Sequence, residues 1–372
     1  PRRNASRWLK VAAVGLAAVV LGVAGWAWRH EPLGPPDHAA VLGRSLVTYD
    51  NRGREIRRLE LADVNPDAYD PGSALSRTTS TPATHDATLV ADIDENAHRE
   101  TLLNVWPAAN SDMPGGLICF NENGTVRWQL QLGRERRFGD RLLNGDYRGM
   151  FIRSFRAHGR PWVLTVSHHD YWFPAYLAIV DPATGEVHQE YWHPGWLTQV
   201  EIVDVDDDGQ PEILAGGYNN PGGGLGRAGL VALEVSPTPQ PPTADAPSND
   251  VDAFAGPGVR AYALFPRSDI CTALGDHPFV QRLDVVAGRR LTLRVVGAED
   301  TVTIYDLDLG FHVLDFQVSD NFEAIHRQLE GRGLLDHRLT DAEVADMGRI
   351  QVFTYTPDGN SQALAAYWTL PH

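Results

Sequence analysis

The stretch Asp204-Val-Asp-Asp-Asp-Gly-Gln-Pro-Glu-Ile-Leu214 sets carboxylates at alternate positions 204, 206 and 208, a glycine at 209 and a further carboxylate at Glu212. Such a set of oxygen ligands suits calcium, a hard cation that takes six to eight oxygens in flexible geometry. Alternate side chains of a tight loop point at one centre, the Gln210 carbonyl adds another direction, and Gly209 permits the sharp turn. Asp207 falls between ligand positions and is expected to face solvent. A related spacing occurs in Asp92-Ile-Asp-Glu-Asn-Ala-His-Arg-Glu-Thr-Leu102, where Asp92, Asp94, Asn96, His98 and Glu100 are the candidate ligands. A third copy, Ser154-Phe-Arg-Ala-His-Gly-Arg-Pro-Trp-Val-Leu164, keeps the glycine and proline and has no carboxylate. Leu214 and Gly216 stand where an EF-hand would end, and no helix pattern flanks the loop, so an EF-hand is excluded. The competing reading of both acidic loops is a solvated turn that binds nothing.

Other constellations are weaker. Tyr171, Trp172, Tyr191, Trp192 and Trp196 crowd one stretch of sequence. Packing inside sheets is one explanation for them; the functional rival is a platform of Trp172, Trp192 and Trp196 for a sugar or peptide. His168 and His169 are adjacent, so on a strand they face opposite ways and do not share a zinc ion. Gly224-Leu-Gly-Arg-Ala-Gly229 has dinucleotide-fingerprint spacing, but a strand-like run, Leu230 to Val235, follows where a helix is required. The glycine-rich stretch from Gly216 to Gly229 therefore reads as a surface loop. No Gly-Lys-Ser or Gly-Lys-Thr occurs, and no nucleophile-base arrangement stands out. Asn123-Gly-Thr125 matches a glycosylation acceptor, and a hairpin turn accounts for it fully. Cys119 and Cys271 leave a single disulfide open.

The elements that must position the acidic loops are short apolar runs separated by turn chemistry, which predicts mainly β structure. Hairpin-like stretches recur at Leu46 to Gly53, Leu117 to Gly124 and Leu177 to Gly185, each closing on an Asn- or Asp-containing turn with glycine. Units of roughly 50–60 residues with about four strands each predict propeller blades. Asp-x-Asp-x-Asp-Gly-x-x-Glu followed by an apolar strand resembles the FG-GAP or VCBS-type repeat of integrin-α-like β-propellers. The resemblance covers residues 40–235 and is most specific at 204–214. The copy at 92–102 departs from it at Asn96 and Ala97, and the copy at 154–164 has lost the ligands. It implies calcium bound within a blade, and adhesion, ligand recognition or scaffolding more often than catalysis.

The chain has 372 residues, 43% of them hydrophobic, with 48 acidic against 32 basic side chains and a formal charge of −16. That composition supports a large core and excludes general affinity for nucleic acid. Two cysteines exclude a disulfide scaffold. Val11 to Trp28 is free of charge and flanked by tryptophans, with Arg2, Arg3, Arg7 and Lys10 before it. It predicts a transmembrane anchor over 11–28 with residues 1–10 cytoplasmic and the remainder outside, in the periplasm or beyond the cell. A cleaved signal peptide competes, but no clean small-x-small site follows the run. A stalk over 29–39 would lead to the propeller repeats at 40–235. A proline-rich loop or linker at 236–258 precedes a C-terminal β-rich part at 259–372. In that part, Asp320 with Glu323 and Thr340 with Glu343 predict the starts of two short helices.

The expectation is thus a mainly β protein: a propeller-like repeat ectodomain after one N-terminal helix, with a small α+β C-terminal part. Its function would be a membrane-anchored, calcium-binding module for an unknown protein or glycan ligand, or a scaffold. The alternatives are a glycan-active or other hydrolytic propeller and an assembly subunit of a membrane complex.

Overall fold

Strands begin wherever the apolar runs predict them, and each is joined to the next mostly by a tight antiparallel turn. The computed structural model describes residues 32–70, 86–108, 115–138, 141–169, 174–220, 226–243, 256–286, 289–355 and 366–368. A three-stranded sheet comes first: β1 (Pro36–Leu42), β2 (Ser45–Asp50) and β3 (Glu55–Glu60). A four-stranded meander follows: β4 (Thr88–Ala91), β5 (Glu100–Val105), β6 (Gly116–Phe120) and β7 (Val126–Gln131). After the small hairpin β8 (Arg136–Phe138) and β9 (Arg141–Leu143) comes a second meander: β10 (Tyr147–Ala157), β11 (Arg160–His169), β12 (Ala175–Val180) and β13 (Val187–His193).

The next sheet starts as a meander: β14 (Gly195–Val203), β15 (Glu212–Asn219), β16 (Ala228–Leu233) and β17 (Val259–Leu264). The chain then leaves it for helix α1 (Asp269–Leu274) and the last meander: β18 (Phe279–Val286), β19 (Arg290–Val296), β20 (Val302–Asp308) and β21 (Val313–Val318). Helices α2 (Asn321–Gly331) and α3 (Asp341–Met347) lead back, and β22 (Ile350–Thr354) pairs with β17, followed by β23 (Ala366–Trp368). The sheet is therefore built from both sides of the proline-rich 236–258 stretch, which is the long β16–β17 connection. The corresponding β6–β7 and β12–β13 connections are tight turns at Asn121–Gly124 and Asp181–Gly185.

The sheets pack face on face in chain order, and the side-chain alternation of each inner strand records it. In β5, Leu102 faces the β10–β13 sheet while Leu103 faces the first sheet. In β12, Tyr176 and Ala178 pack toward the β4–β7 sheet, and Leu177 and Ile179 toward the β14–β17 sheet. In β15 and β16, Ile213 and Val231 face the β10–β13 sheet, whereas Leu214 and Leu230 face the β18–β21 sheet. Covered on both sides, these strands are buried throughout, each fully buried aliphatic side chain contributing roughly 1.5–3 kcal/mol. The terminal sheets are one-sided: in β19, Leu291 and Leu293 are buried while Arg290 and Arg294 are exposed. Among the described residues the stack does not close into a propeller ring.

Several expectations are corrected. The stretch 11–28 lies outside the described residues, and among those described no helix is long and apolar enough to cross a membrane. The reading as a single-pass membrane protein with a cytoplasmic N-terminus and an outward-facing ectodomain is overturned on that finding. Gly216 and Gly217 are buried strand residues of β15, and Gly229 lies in β16; a surface loop is wrong for them. A Cβ at Gly217 would collide with the Trp196 carbonyl, and one at Gly229 with the Tyr262 hydroxyl, so close strand and sheet packing explains these glycines. Both cysteines are free and buried in separate core clusters, Cys119 beneath the β4–β7 sheet and Cys271 among the helices.

Candidate metal centres

Both acidic loops join the first strand of a meander to the second. The loop at 92–99 connects β4 to β5, and that at 204–211 connects β14 to β15. Each is tied internally by its first aspartate: Asp92 accepts from the Asn96 and Ala97 amides at 3.0 and 2.9 Å, and Asp204 from the Gly209 amide at 2.9 Å. The turn is made in each by two left-handed residues, Glu95 with Ala97 and Asp207 with Gly209. A glutamate opens each second strand. Glu100 and Glu212 are 2% and 1% exposed, and accept from the Ile93 and Val205 amides at 3.3 and 2.7 Å.

These ties bring the ligands together. One carboxylate oxygen each from Asp92, Asp94 and Glu100 lie within 4.8 Å of one another, and the same holds for Asp204, Asp206 and Glu212. Asp94 and Asp204 each keep a buried carboxylate oxygen with no hydrogen-bond partner, an arrangement that a cation would relieve. The remaining candidates sit differently. Asp208 accepts from the Gln210 amide at 2.7 Å, and the Gln210 side chain accepts from the His158 amide of the neighbouring hairpin. Asn96 donates to Asp94 at 3.1 Å, while His98 is exposed and turned to Glu122, 2.6 Å away, outside the carboxylate cluster.

The sequence reading missed an arginine at each centre. Arg127, second residue of β7, pairs with Asp94 and, at 3.1 Å, with Glu100. Arg260, second residue of β17, pairs with Asp206 at 2.6 Å and Glu212 at 3.4 Å. In the ligand-free copy, Trp162 stands where these glutamates stand, and His188, second residue of β13, stands where the arginines do. Their rings lie 4.2 Å apart. The acids and the cation are lost together, and an aromatic contact replaces the ion pair. The recurring arginine on the fourth strand is the signal that sequence inspection could have used.

Each acidic centre thus combines three carboxylates and one guanidinium, a balance of −2 when the carboxylates are ionised. Burial pushes the Glu100 and Glu212 carboxyls up from the usual range, and the Arg260 guanidinium holds Asp206 below it. The β10–β11 hairpin, packed between the two sheets, touches both loops: its Arg156 pairs with Glu95 and its His158 amide reaches Gln210.

The aromatic platform is not formed by Trp192 and Trp196. Trp192 is 3% exposed and packs against Tyr176 and Tyr147 beneath one face of its sheet. Trp196 is 1% exposed, in the core on the other side. Residue 172 lies outside the described residues. The histidines do not share a site either: His169 pairs with Asn144, His188 with the Ser236 carbonyl and His193 with the Tyr262 hydroxyl.

No protein-family model matches this chain, and no curated protein matches it. Among solved structures it is similar to the Pseudomonas aeruginosa PilY1 C-terminal domain, at 11% identity and a TM-score of 0.34, over 78% of this chain and 82% of that one. A likeness this distant identifies neither a fold family nor a function.

Proposed function

We propose that this chain is a calcium-braced binding or scaffold module of propeller-like, FG-GAP or VCBS-type build, which offers its sheet edges and loops to a protein or glycan partner. The observation that carries the reading is the convergence of Asp92, Asp94 and Glu100, and of Asp204, Asp206 and Glu212, at the same place in two meanders. A net charge of −2 at each centre matches one divalent cation, and all-oxygen ligands favour calcium over the imidazole- and thiolate-loving metals. Burial of Trp192 and Trp196 takes two of the three tryptophans out of a sugar platform, which favours a binding or scaffold role over a glycan-active enzyme.

The bound arginines oppose calcium, so affinity is expected in the weak range of such sites, roughly 10⁻⁴ to 10⁻³ M. At about 1 mM calcium the stabilisation is then only about 0.4 to 1.4 kcal/mol, which braces the fold without being required for it. The test is isothermal titration of calcium into wild type, Asp206→Ala and Asp94→Ala. Gly209 and the additional Asp208 favour the 204–212 loop, so Asp206→Ala should remove the tighter phase. Absence of calcium heat at millimolar concentration, or an Asp206→Ala trace identical to wild type, defeats the reading.

A further inference from the structure

The helical corner of the molecule holds a cluster of different chemistry. His326 lies on α2, His337 in the segment after it and Glu343 in the first turn of α3; Asp269 opens α1 beside them. One ligand atom each from His326, His337 and Glu343 lie within 4.8 Å of one another. We propose that His326, His337 and Glu343, with Asp269 in reach as a fourth ligand, form a binding site for a divalent transition metal of the zinc class.

The decisive group is His326. It is 1% exposed, its Nδ1 is 2.8 Å from the Glu330 carboxylate one turn further along α2, and its Nε2 is buried with no hydrogen-bond partner. Leaving such a group unsatisfied costs about 1–3 kcal/mol, which a metal bond would recover. With Nδ1–H donated to Glu330, the Nε2 lone pair is the one left for a metal. A carboxylate behind the imidazole is the usual device that fixes the tautomer and ring orientation of a metal-bound histidine.

His337 repeats the pattern. Its Nδ1 lies 3.0 Å from Asp336 Oδ1, and its Nε2 faces Glu343 Oε1 at 2.6 Å and Asp269 Oδ2 at 3.3 Å. With Nδ1–H on Asp336, Nε2 faces two carboxylates, and a metal cation between them would take the place that a second ring proton otherwise fills. Glu343 is held for this role by the helix cap. Its Oε2 accepts from the Thr340 amide and hydroxyl at 2.7 and 2.8 Å, which leaves Oε1 to the cluster. The three ligand atoms need to close only modestly to meet bond lengths of about 2.0–2.2 Å.

Chemistry and access fit the same metal class. Two imidazoles with carboxylates suit zinc and its neighbours, not calcium or magnesium, which prefer oxygen alone. A cavity of about 150 Å³, lined by Asp269, Phe322, His326, Glu343 and Met347, adjoins the cluster and gives a metal-bound water room. No residue is shared with the acidic loops, so this site stands or falls independently of the calcium reading.

The test uses the purified full chain, stripped of metal, with zinc chloride followed by equilibrium dialysis and cobalt(II) followed by its visible absorption. One zinc per chain at micromolar concentration and a cobalt spectrum of tetrahedral nitrogen and oxygen ligation are expected. His337→Ala, at a half-exposed position, and Glu343→Gln each remove a proposed ligand, so each should weaken zinc by more than the roughly 10–100-fold that losing a partner behind a ligand costs, and abolish the cobalt bands. Circular dichroism and calcium titration unchanged from wild type would show that the fold is intact in these variants. His326→Asn removes the buried ligand in the same assay, and loss of zinc in two folded variants suffices. No uptake by wild type, or unchanged affinity in folded His337→Ala and Glu343→Gln, overturns the proposal.

Discussion

Arg260 keeps Asp206 ionised while burial lifts Glu212 toward its protonated form, so two acids of one cluster respond to their surroundings in opposite directions. The arginine is the pivot. Replacing it by Arg260→Gln leaves the carboxylates repelling one another in the metal-free protein and removes calcium's competitor. Calcium should bind the variant about fivefold more tightly, since a pair this open to solvent is worth at most ~1 kcal/mol. The calcium-free variant should also melt earlier than wild type. Titration and thermal melts of the two proteins side by side check both signs; weaker calcium binding in Arg260→Gln would make the arginine a positioning group for the metal and not its rival.

A second residue sets a pH dependence. His193 is buried against Tyr262, and burial lowers its pKa from 6.5 to about 4. An unfolded chain binds the proton near the ordinary value, so stability from this group is complete above about 6.5 and is lost progressively as pH falls toward 4. The shift corresponds to roughly 2–4 kcal/mol over that window. His193→Gln should be less stable at neutral pH yet show a shallower loss between pH 6.5 and 4, read from melting temperatures along a pH series. Equal slopes would remove His193 from the account. The acids of the two loops were legible in the sequence because their spacing is local. Arg127 and Arg260 were not, since each arrives from the fourth strand of its sheet, and Arg260 stands 48 residues from Glu212. Trp192 and Trp196 left core and platform readings both open for a related reason: whether an aromatic on a strand meets solvent depends on which sheet stacks against it.

At the scale of the element, the two acidic loops share a backbone path but not its cheapest residue. Gly209 takes φ +82°, which glycine adopts freely, whereas the matching Ala97 is held at φ +70°. An L-residue in that region costs roughly 1–2 kcal/mol, partly offset because glycine has more freedom to lose on folding. Ala97→Gly should therefore stabilise the calcium-free protein by up to ~1 kcal/mol, about 2 °C of melting temperature, and Gly209→Ala should do the reverse. If scanning calorimetry gives both changes the same sign, the loops are not equivalent. The helices show how far such local signals reach. Thr340 and Glu343 form the reciprocal cap their spacing predicts, while Asp320 makes no side-chain cap bond although α2 begins beside it. Nothing in that spacing reveals that Glu343 also faces two histidines, because they are brought to it by tertiary packing.

Across the whole molecule, the composition break at 236–258 falls inside a sheet: β16 before it pairs with β17 after it, and β17 pairs with β22 from near the C-terminus. Apolar periodicity located the individual strands well, but no local pattern says that a long connection returns to its own sheet. This arrangement has a consequence for truncation. Ending the chain at Gly258 would strip β17 from β16, leaving six consecutive buried residues, Ala228 to Leu233, on an open edge. The same cut takes Tyr262, Leu264 and Phe353 from one core cluster and Phe265, Leu293 and Tyr305 from the next. An unpaired apolar edge is a template for pairing with another chain, and the exposed faces add several kcal/mol of lost burial. A fragment of residues 32–258 should therefore associate or aggregate, whereas 32–372 should remain monodisperse. Size-exclusion chromatography with light scattering decides between them. A folded, monomeric 32–258 fragment would mean that the sheet is complete without its C-terminal strands.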